Sequence, residues 1–417
     1  MRADAPAVDA APAYPRSGGR ADPALDGCRA VAALMVLTTH VAFFTAAILW
    51  PGVGPMLARL DFGVAIFFLL SGFLLVTPWV RAALGAAPAP STATYLLRRW
   101  ARIVPAYWLV LIAAVVALPE NRDVDPGTLA QYAALLQIYD NPNRLAGLTQ
   151  MWSLAVEVAF YLALPLIGWW LVRRTATVRS LLGAVLVLVP IALAFRWLAT
   201  AGWPNPVAGY WLLGYLDWFA LGMAAAVIRE ATALGLGNAA TARVRAVAED
   251  GWTCVICSTL LFVIACTPVA GPYTLGVLQP WENLIRHLLY AAAAAFALLP
   301  VFLGAAGHPV RRALSVRPVA WLGRISYGIF LWHLLLMELI ARALGLELFR
   351  GGFIVLWPLT FVSAVAAAWL SWVLVEQPLQ RWSHRRSTGP TLTTATTTAT
   401  TTTAADTVTR PTHVGAA

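Results

Sequence analysis

Long apolar runs recur along the chain, broken by short segments that hold most of its arginines. A helix needs about 20 mostly apolar residues to cross a bilayer core. Ten runs meet or approach that length: 27–49, 62–80, 103–119, 151–172, 180–198, 209–228, 252–267, 285–304, 321–341 and 353–375. The seventh is short, and the third begins close to arginines. In lipid, a helix satisfies its backbone polar groups within one segment. The pattern therefore predicts an all-α polytopic integral membrane protein of about ten transmembrane helices, spread over residues 25–382. Residues 1–24 are polar and Ala/Pro-rich, without the short apolar core and cleavage site of a signal peptide. They are expected to form a disordered cytoplasmic tail. Residues 383–417 contain a Thr/Ala low-complexity run and are expected to be a second disordered tail.

Composition agrees with lipid as the solvent. Hydrophobic residues make up 60% of the chain and charged ones 12%, against about 25% charged in a soluble domain. The net charge is +10 and every basic residue is Arg. These arginines lie between apolar runs, which points to topology and anionic lipid headgroups rather than nucleic acid. With ten spans and a cytoplasmic N-terminus, 22 of the 29 arginines fall on the cytoplasmic side. That asymmetry predicts a multi-pass protein of the cell membrane with both termini inside. Cys254 and Cys257 have C-x-x-C spacing, but no second pair or His cluster accompanies them. The four cysteines read as packing residues, and no metal site is expected.

Ionisable groups inside lipid are costly and mark candidate functional positions. In the first run, Arg29 and His40 are eleven residues apart, so they share one helix face roughly 16 Å apart along the axis. Asp26 can pair with Arg29 at i,i+3. Ser71 precedes Gly72 in the second run, as a polar group or a packing notch. Arg99 and Arg102, also at i,i+3, can clamp one phosphate or serve as an ordinary basic flank. In the fourth run Ser153, Glu157 and Tyr161 follow i,i+4 spacing on one face. The carboxylate there is either functional or the partner of a neighbouring Arg or His. His333 sits in an equally apolar setting. Counted from the helix ends, His40, Ser71, Glu157 and His333 fall within roughly 6 Å of one depth, which predicts one shared polar cavity with the arginines at its mouth.

These motifs resemble the acyltransferase 3 family of bacterial membrane O-acyltransferases. The resemblance rests on Arg29 and His40 in the first helix, Arg99-x-x-Arg102, the FFxxSGF stretch at Phe67–Phe73 and the SLxxExxFY stretch at Ser153–Tyr161. It extends through FALGM at Phe219–Met223, SYxxFLWH at Ser326–His333 and EQP at Glu376–Pro378. Cys28 stands where the family usually has Leu. The family implies an acyl-CoA donor, commonly acetyl-CoA, and a hydroxyl acceptor on a glycan or hydroxylated small molecule. On that basis His40 is expected to act as general base or acyl carrier, with Glu157 orienting or charge-balancing a His. Arg99 and Arg102 are expected to bind the donor, Arg29 to anchor it or brace the first helix, and Ser71, Ser153, Tyr161 and His333 to contact substrate. No fused extracytoplasmic domain is evident, so a stand-alone enzyme or one with a separate extracytoplasmic partner is expected. A proton-coupled transporter, or an acyl carrier serving a partner enzyme, would also place His and Glu at mid-membrane.

Overall fold

The computed structural model describes residues 22–387 apart from 142–144, 176, 206, 275 and 277. The disorder expected of the two tails thus falls mostly outside the described residues, as does Arg144. Where the tails do enter them, the chain is helical from Pro23 and again through Ser387.

Ten helices carry the fold: α1 (Pro23–Phe44), α2 (Gly63–Ala83), α3 (Thr92–Ala117), α4 (Met151–Arg174), α5 (Val178–Ala201), α6 (Leu216–Ala233), α7 (Gly251–Ala265), α8 (Pro280–Leu303), α9 (Ser326–Ala343) and α10 (Phe353–Ser371). Among the described residues there is no strand. All but α7 are long and apolar enough to cross a membrane, α5 as two helices joined at Val187. The 15-residue α7 follows Ala239–Glu249 across an 82° bend.

Neighbours show where α7 runs. At one end of the bundle Arg311 binds Asp22, the N-cap of α1, at 2.7 Å. There too Arg81 near the end of α2 faces Glu230 near the end of α6 at 3.8 Å. At the other end Phe349 N–H donates to the carbonyl of Phe44, the last residue of α1, at 2.7 Å. Gly251 opens α7 against His308, close to where α8 ends. Its last residue, Ala265, accepts from the buried Arg59 at 3.0 Å, just before α2 begins. So α7 and α8 run antiparallel between the same two ends, and the described residues hold nine spans, or ten if the bent pair that ends in α7 counts as one.

Local chemistry sets the helix boundaries. Asp22, Ser91 and Asp250 cap α1, α3 and α7 through backbone N–H groups, supplying acceptors that the first turn lacks. The Ser91 cap starts α3 eleven residues ahead of the expected position, so Arg98, Arg99 and Arg102 lie on the helix itself. Conversely, α6 starts later than expected, because residues 208–215 form two short 3₁₀ turns. Residues 317–324 are a separate helix before α9, with Gly323 pressed on the Asp26 backbone of α1. The chain after α10 makes one π turn at Trp372–Glu376. There Pro378 has no N–H to continue the regular ladder.

The contact between α2 and α6 determines what faces the interior. Gly72 lies against the Phe219 carbonyl and Gly222 against the Leu69 carbonyl. Small residues allow this backbone approach in lipid. With Gly72 turned to α6, its neighbour Ser71 is 100° further round the helix and faces α4. Outside the spans, Glu120 accepts from Arg342 at 2.5 Å, and that guanidinium holds its carboxyl below the usual range.

Candidate active site

A cavity of about 290 Å³ opens between α1, α2, α3, α4 and α9. Its residues on α2 run from Val64 to Leu75, roughly 16 Å along the axis. Arg29, Arg99 and Arg102 line it at the end where α1 and α3 begin. Arg29 holds Asp26 at 2.9 Å. The Arg99 Nε is buried and has no hydrogen-bond partner. Three guanidinium groups gathered around one space, with an unsatisfied donor among them, suit a phosphate-bearing molecule.

Deeper in, Ser71 O–H donates to Glu157 Oε1. A carboxylate in an apolar bundle is costly unless it is hydrogen-bonded, and this hydroxyl supplies one bond. Ser153 and Tyr161, on the same side of α4, line the same space. Ser153 O–H also donates to Gln150 O at 3.2 Å.

The histidines are elsewhere. Neither His40 nor His333 lines this cavity. They pair with each other, His40 Nδ1 lying 3.1 Å from His333 Nε2 with the rings 5.1 Å apart. The tautomers follow from the carbonyls nearby. His40 Nδ1 is 2.8 Å from Val36 O, and His333 Nδ1 is 2.8 Å from Phe330 O. A carbonyl only accepts, so both Nδ1 atoms carry protons. His333 Nε2 is then the acceptor for a shared His40 N–H, and the lone pair of His40 is left on Nε2. The pair stands one turn beyond Phe330, which lines the cavity and meets Phe67 edge-on at 6.4 Å.

The single polar cavity expected from depth is therefore corrected. Seven of the nine candidate residues share a cavity, and the two histidines form a separate pair. Glu157 is bonded to Ser71 rather than to a histidine. Helix periodicity gives the face a residue occupies on its own helix, but not how that helix is rotated against its neighbours. Tyr327 also lines the cavity and donates to Ile103 O at 2.8 Å. Spacing alone does not mark it as a site residue, although it lies within SYGIFLWH.

The four cysteines are free, and Cys254 S–H donates to Val247 O at 3.2 Å. Among the described residues, no group of three or more His, Cys, Asp or Glu is arranged to hold a metal.

A second polar cluster is absent from the sequence-based expectations. The buried His287 Nε2 is 2.8 and 2.9 Å from the two Asp217 oxygens, and the Trp218 ring stacks on its imidazole at 4.4 Å. Both ionisable residues lie in apolar runs, so the rule applied to His40 and Glu157 could have found them.

Comparison with known proteins agrees with this architecture. The model of an acyltransferase domain matches residues 22–375. The chain is 28% identical over 381 residues to acyltransferase MdmB of Streptomyces mycarofaciens, covering 85% of this chain and 88% of that one. It is 27% identical over 341 residues to nodulation protein 10 of Rhizobium leguminosarum, covering 76% and 82%. It is 25% identical over 335 residues to peptidoglycan O-acetyltransferase OatA of Listeria monocytogenes, covering 75% of this chain and 48% of OatA. It thus spans about half the length of OatA, and likewise of a Bacillus subtilis relative matched at 26% identity. No solved structure gives a significant match. With a family match across nearly all of the helical bundle that holds the arginine cavity, the chain belongs to the acyltransferase 3 family.

Proposed function

We propose that the protein is a membrane O-acyltransferase that moves an acyl group, acetyl in the first instance, from acyl-CoA to a hydroxyl of a glycan or a glycosylated small molecule. The observation that carries this reading is the cavity itself. It gathers Arg29, Arg99 and Arg102 at one end and the Ser71–Glu157 pair further in. Acyl-CoA would supply the activated acyl group, with Arg99, Arg102 and Arg29 holding its phosphates. The orphaned Arg99 Nε supports that fit.

In this reading His40 acts through Nε2, the nitrogen that its tautomer leaves free. The acceptor hydroxyl gives its proton to Nε2 as its oxygen forms the new ester bond. The thioester C–S bond breaks, the thiolate leaves, and the proton passes to that sulfur. His333 positions His40 by accepting from Nδ1–H, so that the base keeps one tautomer. Glu157 holds Ser71 in place, and Ser153 and Tyr161 complete the polar wall beside the substrate. Because the Phe330 ring lines the cavity and also lies 6.1 Å from the His333 ring, it has to yield for transfer to occur.

The arginine end is assigned to the cytoplasm, where CoA thioesters are found, with both termini on that side of the cell membrane. The name of OatA, a peptidoglycan O-acetyltransferase, agrees with a hydroxylated acceptor, and that of MdmB with acyl transfer in general. A separate extracytoplasmic partner is compatible with this reading.

The test uses membrane vesicles holding the full chain, labelled acetyl-CoA and extracted cell-envelope glycans. Release of CoA with transfer of label to glycan is expected, and loss of both in His40→Ala at matched expression. A transporter would consume no thioester. An acyl carrier would take label from CoA but pass none to the acceptor without its partner.

A further inference from the structure

At the end of the bundle away from the arginine cluster lies a second, larger cavity of about 600 Å³. It is bordered by the start of α2, the start of α4, the end of α5 and the start of α8. The two cavities adjoin. Val64 lines both, and Trp152 lines the second while the next residue, Ser153, lines the first.

Its walls are aromatic, with Trp152, Trp203, Tyr210, Tyr215 and Trp218 among the lining residues. Trp152 packs between Tyr210 and Tyr215, each ring pair 5.5 Å apart. The Arg196 guanidinium lies over Tyr215 at 5.0 Å and is itself buried. Broad, rigid rings with a few fixed polar groups between them are the makings of a site for a ring-shaped polar ligand.

Three buried polar atoms on the lining residues have no partner: Arg196 Nε, Asn283 Oδ1 and His287 Nδ1. Their hydrogen-bonding characters differ. Arg196 Nε can only donate and Asn283 Oδ1 can only accept. The Asp217 carboxylate calls for a proton on His287 Nε2, so a neutral imidazole there leaves Nδ1 as an acceptor. The lining residues thus carry one unpartnered donor and two unpartnered acceptors, a set that hydroxyl groups, which do both, can satisfy. The charge is also specific. Arg196 and Arg286 line the cavity with a single carboxylate, Asp61, which already accepts from the Tyr290 hydroxyl. The lining surface thus holds two guanidinium groups to one carboxylate, with the Asp217 carboxylate set behind His287.

We propose that this second cavity is the acceptor site and that it takes a saccharide bearing a negatively charged group. This rests on the acyl-transfer reading above and deepens it. The sugar is held among the aromatic rings, its hydroxyls meet the three open polar atoms, and its anionic group faces Arg196 and Arg286. The hydroxyl to be acylated is presented at Val64 and Trp152, where the two cavities adjoin.

The experiment uses the full chain in phosphatidylcholine nanodiscs, so that no anionic lipid competes. Calorimetric titrations use digalacturonate, maltotriose and CoA as probes. Digalacturonate is expected to bind saturably and more tightly than maltotriose. Its affinity should fall about tenfold in Arg196→Gln and in Trp203→Ala, since each removes a direct contact. Trp203 is 40% exposed, so its truncation should leave the fold intact. Unchanged CoA affinity in both variants confirms folding. Failure of both sugars to bind, or binding indifferent to both substitutions, overturns the proposal. Maltotriose binding as tightly as digalacturonate overturns the assignment of a charged sugar. If CoA binds and neither sugar does, the acceptor site is wrong and the acyl-transfer reading stands. If digalacturonate binds and CoA does not, the saccharide site stands and the acyl-transfer reading fails.

Discussion

Ser71 and Glu157 reach one another from helices α2 and α4, across 86 residues of sequence. An ionised carboxylate can only accept hydrogen bonds, so this contact fixes the direction of the serine proton. Glu157→Gln keeps the shape and replaces one acceptor oxygen by a donor. We expect it to lower acyl transfer more than Ser71→Ala, which leaves the carboxylate in place, and label transfer at matched expression checks the order. At the histidine pair, His40→Ala should lower kcat by about 10²–10⁴-fold if Nε2 is the base. His333→Ala removes only the acceptor for His40 Nδ1–H, and Val36 O still holds that proton at 2.8 Å, so a smaller loss is expected. Equal activity of His40→Ala and the wild type would take His40 out of the chemistry. Arg99→Ala and Arg102→Ala should instead raise the KM for acyl-CoA about tenfold or more, each removing a charge-assisted bond, with a lesser effect on kcat. A loss confined to kcat would argue against phosphate binding by these arginines.

Helix packing decides whether these side chains meet at all. At the α2–α6 crossing, any Cβ added at Gly72 or Gly222 meets a backbone carbonyl rather than a side chain that could move. The helices would have to part, carrying Ser71 away from Glu157. Gly72→Ala and Gly222→Ala should each lose about 1–3 kcal/mol, the usual cost of overpacking. Gly183, on α5, has nothing within 4 Å of the point where a Cβ would stand. There the same substitution relieves the helix cost of glycine and should be neutral or stabilising by up to about 1 kcal/mol. Thermal unfolding in detergent compares the three variants. Similar behaviour of all three would mean that the α2–α6 contact is not close in the protein. The distinction could not be drawn from sequence, because all three glycines interrupt equally apolar runs.

At the scale of the whole molecule, topology depends on α7. If this short helix crosses, Val269, beyond its end, lies on the same side of the membrane as Val53. Ala239, ahead of the bend, lies with Ala89 on the other. All four residues are exposed. Single cysteines at these positions, in a chain whose own cysteines are replaced by alanine, can be probed in spheroplasts with an impermeant thiol reagent. Val53→Cys and Val269→Cys should label, and Ala89→Cys and Ala239→Cys should not. Equal labelling at 239 and 269 would make α7 a re-entrant segment and remove the tenth passage.

Much of this protein is legible in its sequence because lipid imposes a one-dimensional rule: each passage must be an apolar helix, and arginines mark its ends. The number of runs, their order, the spacing of Arg99 and Arg102 and the shared face of Ser153, Glu157 and Tyr161 all follow from residues close together along the chain. Boundaries drifted where local chemistry outweighed hydropathy, as at the Ser91 cap of α3 and the 3₁₀ turns before α6. What the tertiary structure decided is which faces meet. The sequence placed His40, Ser71, Glu157 and His333 at similar depths. The rotation of each helix, set by contacts such as Gly72 on Phe219, sorted them into a serine–glutamate pair within the arginine cavity and a histidine pair behind Phe330. The second cavity was hidden for the same reason, since its walls come from helix ends far apart in sequence. Periodicity fixes direction around a single helix axis, whereas a site in a bundle depends on the relative rotation of several.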